Sequence, residues 1–108
     1  MTSNTHRAFL GVGEYDFALT PPMIVELERI TEAGIGAILA RLTDRRFKHR
    51  DLVETIRLAL IGGGTSPQRA GEIVAAYVVP RPLAETYPLA LSILEALWFG
   101  ADASGAAE

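Results

Sequence analysis

Cysteine is absent from the chain, so disulfide bonds and thiolate metal ligands are excluded. Histidine is scarce: His6 and His49 are the only two, and neither has a metal ligand or acid–base partner at a suitable spacing. We expect both to be solvated side chains, with His6 in a mobile N-terminus. The sequence therefore predicts no catalytic residue, no metal site and no cofactor.

Long apolar runs and an excess of charge of one sign are also missing. The longest apolar region, Leu89–Phe99, is interrupted by Ser92 and Glu95 and is too short to cross a bilayer. The first six residues lack the apolar segment of a signal peptide. The formal net charge is −3, whereas nucleic-acid-binding domains are usually basic. We therefore expect a cytoplasmic protein that binds no membrane and is a poor candidate for nucleic-acid binding.

The length and the apolar content are sufficient for one small domain. The chain has 108 residues, of which 49% are hydrophobic, so a modest core can form. We place the domain at residues 7–100, between a flexible N-terminus (1–6) and a flexible C-terminal tail (101–108) rich in small residues.

Two segments near the N-terminus have the pattern of a β-hairpin. In Tyr15–Thr20, large apolar side chains alternate with smaller or polar ones, which is the period of a half-buried strand, and Arg7–Val12 is the expected partner. Gly13 and Glu14 lie between the two, and Gly13 suits the first central position of a type II′ turn. Because a lone hairpin is marginally stable in water, it must pack against the rest of the chain.

The remainder of the chain predicts four or five short helices. Thr20-Pro21 is a helix start, with a capping residue before a proline, and Gly34 is expected to end this helix in the left-handed conformation. Residues 35–42 carry an apolar stripe with helical spacing. A third helix is expected over about 51–61, and a fourth begins after Ser66-Pro67.

The last helix is expected over about Leu83–Phe99, after a break at Pro80-Arg81-Pro82, where proline prevents continued helix. Pro88 lies within its apolar pattern, so the helix either kinks or begins there. The sequence thus predicts a mainly α fold, a small helical bundle with an N-terminal β-hairpin. Its expected core consists of Leu27, Ile38, Leu42, Leu52, Ile56, Leu60, Ile73 and Leu94.

The third helix is apolar on nearly every side and ends at Gly62-Gly63-Gly64. Such a helix is either the centre of a tight bundle or part of a surface for a partner. The triplet lacks the lysine and the preceding strand of a phosphate-binding loop, so we interpret it as a structural turn. We expect at least one of the three glycines to have a positive φ.

One basic cluster, Arg45–Arg50, surrounds Phe47 in the connector between the second and third helices. We interpret it as a solvated loop with Phe47 against the core. Binding of nucleic acid or of an acidic partner is the alternative. Glu26, Glu28 and Glu32 fall on the outer face of the first helix, where we expect solvated carboxylates and not a catalytic pair.

Several of these segments together resemble a known family. The resemblance covers about residues 7–100 and includes the glycine triplet after an apolar helix. It also includes Ile24–Glu28, Gly34–Leu42, Arg50–Val53, Pro82-Leu83 and Leu89–Leu91. In these features the chain resembles the small tail-assembly family of gene transfer agents and related prophages of α-proteobacteria, which has been labelled both tail tube protein and tail assembly chaperone.

The resemblance implies a non-enzymatic protein whose partner is the tape-measure protein, a tail tube protein or a further copy of itself. Phage tube proteins are built mainly from β-sheets that close into rings, so the helical pattern of this chain favours the chaperone label. The alternatives are a structural component retained in the particle and a small helical regulator that binds nucleic acid through residues 43–50.

The C-terminal helix is the expected partner-binding surface. Leu91, Leu97, Trp98 and Phe99 are spread over more than one of its faces, and little sequence follows to cover them. Large exposed apolar patches mark interaction sites, and aromatic residues are enriched in binding hot spots. The alternative is that Trp98 closes the end of the bundle beside the hairpin.

Overall fold

The computed structural model describes residues 4–100. The predicted C-terminal tail (101–108) and residues 1–3 lie outside this part of the chain. A two-stranded hairpin is followed by five helices, which confirms the mainly α fold. The strands are β1 (His6–Leu10) and β2 (Gly13–Phe17), and the helices are α1 (Pro21–Thr31), α2 (Ile35–Thr43), α3 (His49–Gly62), α4 (Pro67–Tyr77) and α5 (Leu83–Phe99).

The hairpin turns two residues earlier than the sequence pattern indicates. Leu10 pairs with Gly13, so the two-residue loop is Gly11-Val12, and the prediction of a turn at Gly13-Glu14 was wrong. Gly11 has the positive φ of 68° that the first central residue of a type II′ turn requires. Gly11 and Gly13 are two residues apart, and the alternation in residues 15–19 does not indicate which of them begins the turn. β1 also includes His6, which is half-buried and not in a mobile segment.

Three helices end in the same way, with one residue in the left-handed conformation. These residues are Glu32 (φ 57°), Arg45 (φ 60°) and Gly64 (φ 116°). In each case the next N–H donates to a carbonyl five residues back, as from Thr65 to Leu60. This is the Schellman motif, which satisfies carbonyls at a helix end.

Gly34 does not end α1, contrary to the prediction, because Glu32 already takes the left-handed position. Gly34 instead lies just before α2 in an extended conformation. The Glu28 carboxylate accepts a hydrogen bond from the Ile35 N–H at 2.8 Å, so a side chain of α1 satisfies a free donor at the start of α2. This bond fixes the turn between the two helices.

Helix α3 is the centre of the domain. It packs against β2, α1, α4 and α5, and seven of its residues are buried. The apolar pattern on nearly all sides of this helix therefore reflects burial within the bundle. All eight residues predicted for the core are buried, from Leu27 in α1 to Leu94 in α5.

The glycines at the end of α3 allow the hairpin to lie directly against the helix end. The Ala18 N–H donates to the Ala59 carbonyl at 2.9 Å. A Cβ at Gly62 would lie 1.9 Å from the Ala18 carbonyl oxygen, and one at Gly63 would lie 1.9 Å from that of Asp16. Gly62 and Gly63 are therefore required for close approach of the backbones, and Gly64 supplies the positive φ.

The last two helices begin as the sequence indicates. The Ser66 hydroxyl caps α4 by accepting a hydrogen bond from the Arg69 N–H at 3.2 Å, and Pro67 occupies the first turn. α5 runs from Leu83 through Pro88, so the helix does not begin at Pro88. Proline has no N–H, and the Ala84 carbonyl consequently lacks its usual helical partner.

Substitution of the glycines tests the close contact between hairpin and α3. Gly62→Ala and Gly63→Ala should each lower the free energy of unfolding by well over 1 kcal/mol, because the added Cβ overlaps a backbone oxygen. Gly64→Ala has open space and should cost about 1 kcal/mol through its strained φ. Urea unfolding measures all three values.

Gly71→Ala is the matched control. Gly71 lies inside α4, and a Cβ there would meet no atom within 4 Å. This substitution should raise stability by up to about 1 kcal/mol, because alanine favours helix more than glycine does. Neutral effects at both Gly62 and Gly63 would contradict the close contact.

Truncation of Ile38 tests the packing of α2. This side chain is fully buried, so Ile38→Ala should cost about 2–5 kcal/mol. Val25→Ala on α1 is the control, since Val25 is 65% exposed and its truncation should change stability by under about 0.5 kcal/mol. Thermal melts that coincide for the Ile38 variant and the parent would place α2 outside the core.

Candidate protein-interaction surfaces

Many of the ionisable residues between 4 and 100 form ion pairs with one another. Among residues 4–100, no group of three His, Asp or Glu side chains could hold a metal ion. The pKa of Glu26 is lowered chiefly by a hydrogen bond from Arg29, and that of Arg81 is raised chiefly by its hydrogen bond to Glu85. These shifts arise from pairs at the surface, where charged side chains are commonly paired for structural reasons.

The three carboxylates of the first helix do different things. Glu26 pairs with Arg29, Glu28 binds the start of α2, and Glu32 is an exposed helix-ending residue. They do not converge on a common site. The expectation of a solvated face therefore holds for Glu32, whereas Glu28 has a structural role that its spacing in the sequence does not indicate.

Asp51 is a buried carboxylate at the first turn of α3. Its Oδ2 accepts a hydrogen bond from the Lys48 N–H at 2.8 Å and lies 3.5 Å from an Arg41 guanidinium nitrogen. Its Oδ1 is buried without a hydrogen-bond partner in the described part of the chain. Because a carboxylate near a helix N-terminus satisfies free N–H groups, Asp51 anchors the connector between α2 and α3 to the first turn of α3.

The C-terminal end of α5 exposes two adjacent aromatic side chains. Trp98 is 57% exposed and Phe99 is 59% exposed. The other two residues predicted for this surface, Leu91 and Leu97, are half-buried and pack partly against the core. A Cβ at Gly36 would lie 3.9 Å from the Trp98 ring, so Trp98 stands over the first turn of α2. We call Trp98 and Phe99 the aromatic end.

The basic loop, residues 44–50, carries cations that no carboxylate neutralises. Arg45, Arg46, Lys48 and Arg50 form no ion pair with any residue between 4 and 100. The arginines elsewhere in this range all pair with Asp or Glu, as Arg57 does with Glu54. Positive charge is thus concentrated at one place on a chain whose net charge is negative.

An apolar groove of about 550 Å³ lies beside this loop. Phe47 stacks on Tyr87 with ring centroids 5.4 Å apart, and the Arg45 guanidinium lies 5.8 Å from the Tyr87 ring centre. The Tyr87 hydroxyl donates to the Leu42 carbonyl at 2.6 Å, which joins α5 to the end of α2. The groove, hereafter the basic groove, is lined by Arg45, Phe47, Leu83, Ala84, Tyr87 and Pro88.

Sequence reasoning singled out two of the six residues that line this groove, Arg45 and Phe47, but did not predict the groove itself. It placed Phe47 against the core, and the structure shows Phe47 half-buried on Tyr87. It missed Tyr87 and Leu83, which lie about 40 residues further along the chain. Leu83, at the first turn of α5, is 48% exposed, and its position two residues after Arg81 gives no local signal for a groove.

A second cavity of about 510 Å³ lies between the hairpin turn and the junction of α4 and α5. It is lined in part by Phe9, Gly11, Tyr77 and Thr86. Gly11 packs closely on the Tyr77 ring, which fixes the hairpin turn against α4. Thr86 is buried, and its hydroxyl has no hydrogen-bond partner within residues 4–100. The Arg81–Glu85 ion pair stands at the rim of this cavity.

A family model described as "Phage tail tube protein, GTA-gp10" matches residues 3–100. The chain belongs to this family. Its description names a component of a phage tail and no enzymatic activity. Neither a curated protein nor a solved structure matches the chain. No helix in the described range is long and apolar enough to cross a membrane. The chain is therefore a tail-related protein of phage or gene transfer agent type.

Removal of the Tyr87 hydroxyl tests the bond that supports the basic groove. Tyr87→Phe keeps the stacking on Phe47 but removes the hydrogen bond to Leu42, and should cost about 1 kcal/mol in unfolding free energy. Tyr77→Phe is the control, because the Tyr77 hydroxyl makes no hydrogen bond to residues 4–100. Equal urea midpoints for the two variants would show that the bond contributes nothing.

Proposed function

We propose that this protein is a tail assembly chaperone, which binds the tape-measure protein, tube subunits or both in the cytoplasm while the tail is built. The observation that carries the proposal is the aromatic end of α5, where two consecutive aromatic side chains are each more than half exposed. Such a protein works by reversible contact with a client and requires no active site.

The fold supports this role over that of a tube subunit. Phage tube proteins are built mainly from β-sheets that close into rings. In residues 4–100 of this chain the only sheet is a two-stranded hairpin, and its second strand lies against α3. One short hairpin supplies far less sheet than the wall of a β-tube, so a subunit of a β-tube is a poor match for this architecture.

The position of the aromatic end suits a client-binding surface. Trp98 and Phe99 are the last two residues of α5, and a tryptophan more than half exposed is an unusual use of a large apolar side chain. Tryptophan is among the residues most enriched in binding hot spots. Leu97 directly precedes the aromatic pair, and Leu91 lies two turns earlier on the same helix; both are half-buried.

A structural component that stays in the particle is the second candidate, and the family description favours it. Mass spectrometry of purified particles distinguishes the two roles. A chaperone should be absent or far below stoichiometric amounts, whereas a structural component should be present in fixed proportion to the tube protein. Particles that contain this chain at a constant ratio would overturn the chaperone proposal.

Substitution of the aromatic end tests its role in client binding. Trp98→Ala and Phe99→Ala should each weaken capture of the co-expressed tape-measure protein about tenfold or more, as expected for hot-spot aromatics. Circular dichroism should stay native, because both side chains are largely exposed.

Val25→Ala is the matched control, since it truncates a similarly exposed apolar residue on α1 and should leave capture unchanged. Normal capture by both aromatic variants would place the client surface elsewhere. Unfolding of both would instead make the aromatic pair part of the core.

A further inference from the structure

The two ends of α5 differ in charge as well as in position. Arg81 is the last lysine or arginine of the chain, and the residues after it carry Glu85, Glu95, Asp102 and Glu108. Glu95 lies one turn before the aromatic end and forms no ion pair with any residue from 4 to 100. The C-terminal region therefore has an unneutralised negative charge beside two exposed aromatic rings.

The basic groove at the other end of α5 has the complementary character. Its walls are apolar, with Leu83 and Pro88 from α5 and Phe47 from the loop. Arg45, one of the four cations that find no carboxylate in the described chain, lines the groove, and Arg46 follows it in the sequence. The Ala84 carbonyl, which has no helical partner because residue 88 is proline, adds an acceptor that an indole or backbone N–H can use.

We propose that the basic groove of one copy binds the aromatic end of a second copy. Trp98 and Phe99 of one molecule lie against Phe47, Leu83 and Pro88 of the next, while Glu95 faces Arg45. Charge complementarity of this kind orients a complex and accelerates association. The inference goes beyond the proposed chaperone role, since it concerns contact between copies and not with a client.

The contact is necessarily head to tail. Leu83 and Phe99 begin and end a helix of 17 residues, which places the two surfaces about 24 Å apart along its axis. Each copy therefore uses two different surfaces, and docking of the first pair leaves one surface free at each end. Such heterologous contacts produce rings or open chains and not two-fold dimers.

The groove fits a protein segment better than a nucleic acid. Nucleic-acid binding needs free aromatic faces for stacking and a basic path for successive phosphates. Here Tyr87 is already in contact with both Phe47 and Arg45, and the rest of the lining is aliphatic. The chain outside residues 41–50 is also strongly acidic, which disfavours a long phosphate backbone.

The test uses two variants of the full chain that each remove one surface. The groove variant is Arg45→Glu with Arg46→Glu, two exposed side chains without ion pairs, of which Arg45 lines the groove. The end variant is Trp98→Ala with Phe99→Ala. The wild type should show mass that rises with concentration in sedimentation velocity, and each variant alone should remain monomeric.

Mixing the variants gives the decisive result. The groove variant keeps an aromatic end and the end variant keeps a groove, so a 1:1 mixture should form a heterodimer and grow no further. Trp98 is the only tryptophan of the chain, and the end variant has none. Addition of the end variant should therefore shift the tryptophan emission of the groove variant to shorter wavelength, as the indole leaves water.

Arg29→Glu with Arg69→Glu is the matched control for charge reversal. Both arginines are exposed and lie on α1 and α4, away from the groove, so this variant should associate as the wild type does. Wild-type association should weaken about tenfold or more between about 50 mM and 500 mM salt, because exposed charges are screened.

Three results would overturn the proposal. They are a wild type that stays monomeric up to millimolar concentration, a groove variant that still associates, and a mixture without a heterodimer. A monomeric chain that binds duplex DNA through the same loop would assign the basic groove to nucleic acid instead. None of these tests measures capture of the tape-measure protein, so the chaperone role and self-association can fail independently.

Discussion

The close contact between the end of β2 and the last turn of α3 determines how the rest of the domain is arranged. The Ala18 N–H donates a hydrogen bond to the Ala59 carbonyl there. Gly62 and Gly63, which have no Cβ, let the two backbones approach closely. The chain leaves this contact at residue 18 and enters α1 at Pro21, so the position of α1 against α3 follows from it. The same turn directs the chain into α4.

In this arrangement the two ends of α5 are not needed for the core and remain exposed. The hairpin, α1 and α4 all pack against α3, and α5 covers the remaining side of α3. The buried residues of α5, such as Ile93 and Leu94, lie in its middle, whereas Leu83, Trp98 and Phe99 at its ends are exposed. One helix therefore closes the core and also carries the two surfaces that we assign to partners.

Local patterns in the sequence were sufficient for the helices and for the core. Helical spacing, the Ser66-Pro67 start and the glycine triplet each depend on neighbours within a few residues. The errors arose where the local sequence fitted two placements equally well. In the hairpin, for example, both Gly11 and Gly13 suit the first central position of the turn. The basic groove could not be predicted, because Phe47 and Tyr87 meet only after α2, α3 and α5 have packed. Close approach at Gly62 was likewise a tertiary constraint, although its glycine was visible in the sequence.

The hydrogen bond between Ala18 and Ala59 also sets an order of events during synthesis. The hairpin is made first, but the groups that hold it, Ala59, Gly62 and Gly63, follow about 40 residues later. A free two-stranded hairpin is marginal in water, so β1 and β2 remain unstable until α3 is complete. The N-terminal strands are thus secured late, and the nascent chain exposes Phe17, which is fully buried in the folded domain, for longer than any residue of α3.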